Sequence, residues 1–180
     1  LHHLILDGWS LPLLFSELFA FYEAAGIGST ARLPCARPYR EYILWLQQQD
    51  REQAEAFWRQ ALRGFTTPTK LPMGTPSSAD SATPFAEYSE RLSTAETEQV
   101  ERFARTQDLT VNTVLQGAFG LLLSRYTGEQ DVVFGATQSG RSGTLTELDM
   151  RVGLFINTTP VRMQWRDEAT VAACLRDLQK

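Results

Sequence analysis

STAETEQVERFARTQDLTVNTVLQGAFGLLLSRYTGEQDVVFG, residues 93–135, contains two helix starts, a helix stop and a strand in that order. Ser93 followed by Glu96 three positions on is a capping box, in which each side chain takes an unpaired backbone N–H of the first turn. It predicts a helix running to about residue 106. Thr110 is the expected cap of a second helix, where Val111, Val114, Leu115, Ala118, Phe119, Leu122, Leu123 and Tyr126 recur at helical spacing and predict a broad buried face. Gly128 is placed to close that helix, and Asp131–Gly135 reads as a strand. Helix, helix, strand points to an α/β or α+β sandwich rather than a bundle.

Upstream, Arg63–Pro84 has no sustained period and is rich in Thr, Ser, Gly and Pro, so it reads as a linker between two lobes. Residues 85–92 alternate like a half-exposed strand. Residues 39–62 read as one long or two consecutive helices, with Tyr42 and Trp45 as packing anchors. Leu11, Leu14, Phe15, Leu18, Phe19 and Tyr22 predict a helix over about 11–24 with one apolar side. Ser10 is its expected N-cap, with Pro12 tolerated in the first turn. Residues 1–6 read as a strand end before an Asp7-Gly8 turn, residues 152–162 as a further strand, and 168–179 as a last partial helix.

With 180 residues, 43% hydrophobic content and a net charge of −4, the chain is folded globular material without the basic footprint of a nucleic-acid binder. No apolar run reaches the roughly 18 residues of a membrane helix. Cys35 and Cys174 form no metal-ligand or redox spacing, so reduced thiols and a cytoplasmic setting are expected. Leu1 is not a start methionine and the last segment stops in mid-helix, so a piece of a longer protein is expected.

Both histidines of the chain, His2 and His3, fall just ahead of Asp7-Gly8. Histidine, with an unperturbed pKa of about 6.5, is the side chain suited to exchange a proton near neutral pH. The structural alternative is that they are polar ends of a strand and a turn. A serine triad of His3, Asp7 and Ser10 is disfavoured, because Ser10 is better used as a cap and no nucleophile elbow exists. Metal binding is disfavoured because adjacent histidines in a strand point oppositely and a third ligand is missing. Gly135–Ser142 imitates a phosphate loop, but Arg141 stands where the lysine is needed and no obvious helix follows. A flexible loop carrying a positioned arginine fits better.

What remains is a histidine acting on two external reactants. His3 could accept or position a proton on an attacking amine or hydroxyl, while N–H groups around Gly8 and the helix start face a developing oxyanion. Asp7 is expected to organise the loop by pairing with an arginine that spacing alone does not identify. Gly8 is expected where the chain turns sharply or a reactant approaches closely.

HHLILDG at 2–8 resembles the HHxxxDG core motif of condensation domains of nonribosomal peptide synthetases. YREYILW at 39–45 is similar to the next core motif, with Glu41 where aspartate is common. Asp131–Gly135 with Ser139-Gly140-Arg141 is similar to the lobe-crossing segment, and VGLFINTTPVR at 152–162 to the following core motif.

The resemblance implies an α/β fold of two-layer sandwich lobes resembling chloramphenicol acetyltransferase, of which this chain is the middle fragment. Residues 1–64 would end the N-terminal lobe, 65–84 link the lobes, and 85–180 begin the C-terminal lobe. It implies amide-bond formation between a donor acyl or peptidyl thioester and an acceptor aminoacyl thioester. His3 would deprotonate or orient the acceptor amine; His2, Asp7 and Gly8 would support it; Trp9 and Asn157 would line the tunnel. Ser10, Arg141 and Arg162 would serve the loops or the structure. In the family the arginine facing Asp7 comes from upstream of the motif, so it is expected to be missing here.

No cofactor would bind directly; phosphopantetheine would arrive on upstream and downstream peptidyl carrier domains, beside an adenylation domain, with no metal, nucleic acid or membrane. The D-x-x-x-x-D pattern of the cyclising branch is absent, and the residues after Asp7 and around Asn157 resemble the condensing more than the epimerising branch. An ester-forming acyltransferase and a noncatalytic carrier-docking lobe are the alternatives. The isolated 180 residues are expected to show little turnover.

Overall fold

The computed structural model describes residues 2–72, 87–143, 145–166 and 168–180. Six helices form in chain order: α1 (Leu11–Gly26), α2 (Tyr39–Gln47), α3 (Arg51–Ala61), α4 (Thr94–Thr106), α5 (Val111–Thr127) and α6 (Val171–Gln179). Two strands, β1 (Asp131–Gln138) and β2 (Asn157–Gln164), pair as a two-stranded sheet. The chain divides into two compact units, each drawn from two stretches: Leu1–Gln60 with Gly135–Thr159, and Ala61–Phe134 with Pro160–Lys180. Within the first unit, residues 139–155 return to the first stretch through hydrogen bonds to Asp7, Ser10, Tyr39 and Pro38.

In the first unit, Gly8–Ser10 forms a 3-10 turn that runs straight into α1. Asp7 caps this turn by accepting the Ser10 N–H. Ser10 is therefore not the expected side-chain cap of α1: its backbone is already helical, and its hydroxyl is used elsewhere. Residues 3–5 form a turn rather than a strand end, closed by Ile5 N–H on His2 O at 3.0 Å. A strand needs a ladder partner, and among the described residues only β1 and β2 supply one. Residues 152–156 are not strand either. The backbone groups of residues 153–155 bond to the Asp7 turn and to Tyr39, and β2 begins only at Asn157. Phe155, 2% exposed, is the apolar centre of the unit; Tyr39 meets its ring edge-on at 5.2 Å and Tyr42 packs at 4.7 Å. Trp45 stacks on Tyr42, so the aromatic anchors of α2 are packing residues as expected.

In the second unit the capping signals hold. Ser93 and Glu96 form the reciprocal capping box of α4, Thr110 Oγ1 accepts the Thr113 N–H at the start of α5, and Gly128 ends α5 in the left-handed conformation. The buried face of α5 only partly matches the one its large residues predict: Leu123 is buried and Val114 packs against the core, as expected. Thr113, Gly117 and Gly120 also face inward, whereas Leu115, Phe119, Leu122 and Tyr126 are exposed. The glycines explain the shift: a Cβ on Gly117 would lie 2.0 Å from Leu175 Cδ2, and one on Gly120 2.7 Å from Met163 Sδ. Close approach of α6 and β2 to this face buries Ala104, Leu109, Leu123, Val132, Met163, Cys174 and Leu175 in one cluster. Arg162 bonds Asp131 through two nitrogens at 2.6 and 2.8 Å and donates to the carbonyls of Ala61 and Arg63. Residues 65–72 carry no regular element, and the rest of the expected linker, 73–84, lies outside the described residues. The strand expected over 85–92 does not form at 87–92; its first two residues also lie outside the described ones.

Candidate active site

The site grows from one buried carboxylate. Asp7 is fully buried, and each of its oxygens is used. Oδ2 accepts the Phe155 N–H at 2.9 Å. Oδ1 accepts from Arg141 Nη2 at 2.9 Å, lies 3.0 Å from Ser10 Oγ and accepts the Ser10 N–H at 3.1 Å. Burial pushes the carboxyl up, but the Phe155 N–H, the Arg141 guanidinium and Ser10 together hold it below the usual carboxylate range. Asp7 is therefore held ionised and out of contact with solvent.

Asp7 has an arginine partner within the chain, from downstream of the motif and not from upstream. It is Arg141, from the loop after β1, 134 residues away in sequence. Its Nη1 donates to the carbonyls of Leu148 and Arg151, at 2.7 and 2.9 Å, and its guanidinium lies 4.2 Å from the centre of the Phe155 ring. A phosphate-binding role is thereby excluded for a second reason: the cation is spent on Asp7 and on backbone oxygens. The loop sequence marks Arg141 as a positioned arginine, but not its partner.

Behind it, Arg151 is 2% exposed and pairs with Glu41 of α2 at 2.8 Å, while its Nη1 donates to the Pro38 carbonyl at 3.0 Å. Glu41, where the motif commonly has aspartate, thus reaches a buried arginine from the surface of α2. No spacing rule could have found this pair.

Held by this framework, the histidine turn presents its imidazoles outward. His2 Nδ1 accepts the Leu4 N–H at 3.1 Å, which ties that ring to its own turn. His3 is exposed and lines a cavity of about 180 Å³ with His2, Leu6, Asp7, Gly8 and Leu11. A Cβ on Gly8 would meet nothing within 4 Å, and its φ is not positive, so the turn itself does not require glycine there. Trp9 is 62% exposed, and Asn157 is exposed with its Oδ1 accepting the Thr158 N–H. Arg162 belongs to the second unit, where its bonds to Asp131 raise its pKa and lower that of Asp131.

Ser10 is the residue that sequence reasoning misassigned most. It is fully buried, and its hydroxyl touches Asp7, Arg141 and both polar groups of the Gly153 backbone. Among the described residues, no group of three or more His, Cys, Asp or Glu is placed to hold a metal ion. None of the described helices is long and apolar enough to cross a membrane. Cys35 is exposed and Cys174 buried, both unpaired.

Residues 1–180 match the family model of the condensation domain. Two of the linear gramicidin synthase subunits of Brevibacillus parabrevis are similar to this chain, one 45% identical over 179 residues and another 46% identical over 180 residues. Each alignment covers 99% of this chain and 4% of the relative. Among solved structures, the X-domain from teicoplanin biosynthesis superposes with a TM-score of 0.78 at 26% identity, covering 99% of this chain and 42% of that one. The first condensation domain of the calcium-dependent antibiotic synthetase gives 0.75 at 22% identity, covering 99% and 40%. The epimerization domain from the third module of a tyrocidine synthetase gives 0.77 at 22%, covering 99% and 42%. This chain belongs to the condensation domain family, and its fold is the one shared by condensation and epimerization domains.

Proposed function

We propose that this chain is the motif-bearing middle of a condensation domain whose parent joins two carrier-bound substrates through an amide bond. The observation that carries the reading is the placement of His3: an exposed imidazole at the rim of a cavity, on a turn whose Asp7 is buried and fully bonded. In this reaction the acceptor amine nitrogen attacks the donor thioester carbonyl. The C–N bond forms, the C–S bond breaks, and the proton lost by the amine ends on the departing thiolate. His3 either takes that proton or orients the amine. With Asp7 committed to Arg141, much of the rate comes from holding two delivered substrates together.

The open space beside Gly8 supports a close approach of the donor thioester to its backbone. Trp9 and Asn157 line the path of the two phosphopantetheine arms, which upstream and downstream carrier domains deliver beside an adenylation domain. In this reading residues 1–64 end one lobe of the parent, 65–84 link the lobes, and 85–180 begin the other, with 139–155 crossing back to bond the first stretch; each lobe is of the chloramphenicol acetyltransferase kind. The condensing branch is argued from the residues after Asp7 and around Asn157, since the fold is common to both branches.

The test is His3→Ala in the full-length protein, its carriers charged from ATP and a mixture of the twenty amino acids. Intact-protein mass spectrometry should show loss of the peptidyl thioester on the downstream carrier while both carriers remain loaded. Undiminished peptidyl product overturns the reading.

A further inference from the structure

We propose that Ser10 is a positioning residue for this reaction: its hydroxyl locks the backbone of residues 153–155 against the histidine turn and so sets where Asn157 stands relative to His3. The inference rests on the reading of His3 and Asn157 given above.

The hydroxyl has one proton and two lone pairs. Its oxygen lies 3.0 Å from two acceptors, Asp7 Oδ1 and the Gly153 carbonyl, and 3.1 Å from two donors, the Gly153 N–H and Arg141 Nη2. It therefore accepts both donors and gives its proton to one of the two acceptors, which leaves its capacity filled. The Gly153 carbonyl also receives the Asp7 N–H at 3.0 Å. One serine thus meets both polar groups of a residue 143 positions away, doing for a single residue what a strand ladder does for several.

The neighbouring residues leave that segment no alternative register. The Leu154 carbonyl accepts the Tyr39 hydroxyl at 2.5 Å and the Phe155 N–H reaches Asp7. A Cβ on Gly153 would lie 2.2 Å from Tyr39 Cδ2, and the Phe155 carbonyl occupies the space a Cβ on Gly140 would need. Two residues beyond Phe155 the chain reaches Asn157 at the start of β2. In the other direction His3 precedes Asp7 by four residues. A slip of the 153–155 backbone is a slip of Asn157 against His3. Together with the Asp7 carboxylate, the Ser10 hydroxyl bridges the turn, the arginine and that backbone, and of the two it is the one that holds Gly153.

The experiment is Ser10→Ala in the full-length protein, read by single-turnover formation of the peptidyl thioester on carriers charged as above. Hydrogen exchange of the peptides spanning 151–157 and α5 is followed in parallel. The expected result is a rate lower by roughly 10- to 100-fold, the scale set by a misplacement near 1 Å. Exchange should be faster at 151–157 and unchanged in α5, and S10A/N157A should be no slower than N157A alone.

A rate within about twofold of wild type overturns the proposal, as does a double variant whose losses multiply. If S10A exchanges throughout, S10C, which keeps the volume and weakens the hydrogen bonds, is judged by the same criteria. If S10C is also unfolded, Ser10 is a folding residue only and the proposal is overturned. His3→Ala in the same assay separates the two readings: an active H3A defeats the proposed function, whereas an inactive H3A beside an unimpaired S10A defeats only the role of Ser10.

Discussion

Arg141 Nη2 stands 2.9 Å from Asp7 Oδ1 with the two side chains 5% and 0% exposed. An ion pair so far out of water carries a large desolvation cost, offset here because every oxygen of the carboxylate and both terminal nitrogens of the guanidinium have further partners. Removing one partner leaves the other charge buried. Asp7→Ala and Arg141→Ala should each destabilise the intact domain by about 3–5 kcal/mol in urea denaturation. The loss should be nearly independent of salt, because buried pairs are weakly screened.

Acid should act through the same carboxylate. Asp7 and Asp131 both have folded pKa values held below the ordinary carboxylate range. The unfolded chain therefore binds more protons at low pH, and stability falls as pH falls. The stabilisation is fully present above the unfolded value of about 3.9 and is lost as pH drops through the lower folded values. Urea midpoints measured from about pH 6 down to about pH 2.5 should fall over that window, and Asp7→Asn should flatten the slope.

Three glycines should behave differently for reasons the backbone makes plain. Gly140 has φ +66° and a Cβ there would sit 1.8 Å from the Phe155 carbonyl, so Gly140→Ala should cost more than about 2 kcal/mol. Gly153→Ala should cost about 1–3 kcal/mol, as the Tyr39 ring is forced aside. Gly8→Ala has open space and should change stability by less than about 0.5 kcal/mol. Its peptidyl product should nonetheless form at least about 10-fold more slowly if a thioester passes close to that backbone. Thermal unfolding paired with the mass-spectrometric assay distinguishes these outcomes.

Ser93→Ala should cost about 1 kcal/mol, the worth of a helix N-cap. The Glu96 side chain would still reach the residue-93 N–H, now 2.8 Å away, so the first turn of α4 should fray without losing the helix. Amide exchange over residues 94–98, compared with residues 99–106, would register this.

Much of the fold is legible in the sequence because its signals are local. The Ser93–Glu96 box, the Thr110 cap and the Gly128 stop lie within a few residues of what they control, and all three form in the structure. The differences share a cause. Of the large apolar residues expected to bury α5, Leu123 does so and Leu115, Phe119, Leu122 and Tyr126 do not, because Gly117 and Gly120 admit Met163 and Leu175 from later in the chain. Val152–Ile156 has the composition of a strand, but its N–H and C=O groups meet the Asp7 turn and Tyr39 instead of a neighbouring strand. Ser10 has the position of a helix cap, because a serine before an apolar helix usually is one. Its actual partner, Gly153, is invisible to any short window.

Residue order alone carries the ends of α4 and α5, the two histidines ahead of Asp7-Gly8, and the family that the motifs at 2–8, 39–45 and 152–162 resemble. These follow from caps, turn chemistry and residue order, all of them short-range. That Arg141 faces Asp7, that Arg151 faces Glu41 and that Ser10 holds Gly153 came from the folded chain. A buried charge or hydroxyl must find its partner wherever the fold brings one within hydrogen-bond reach, and that distance is not written in residue spacing.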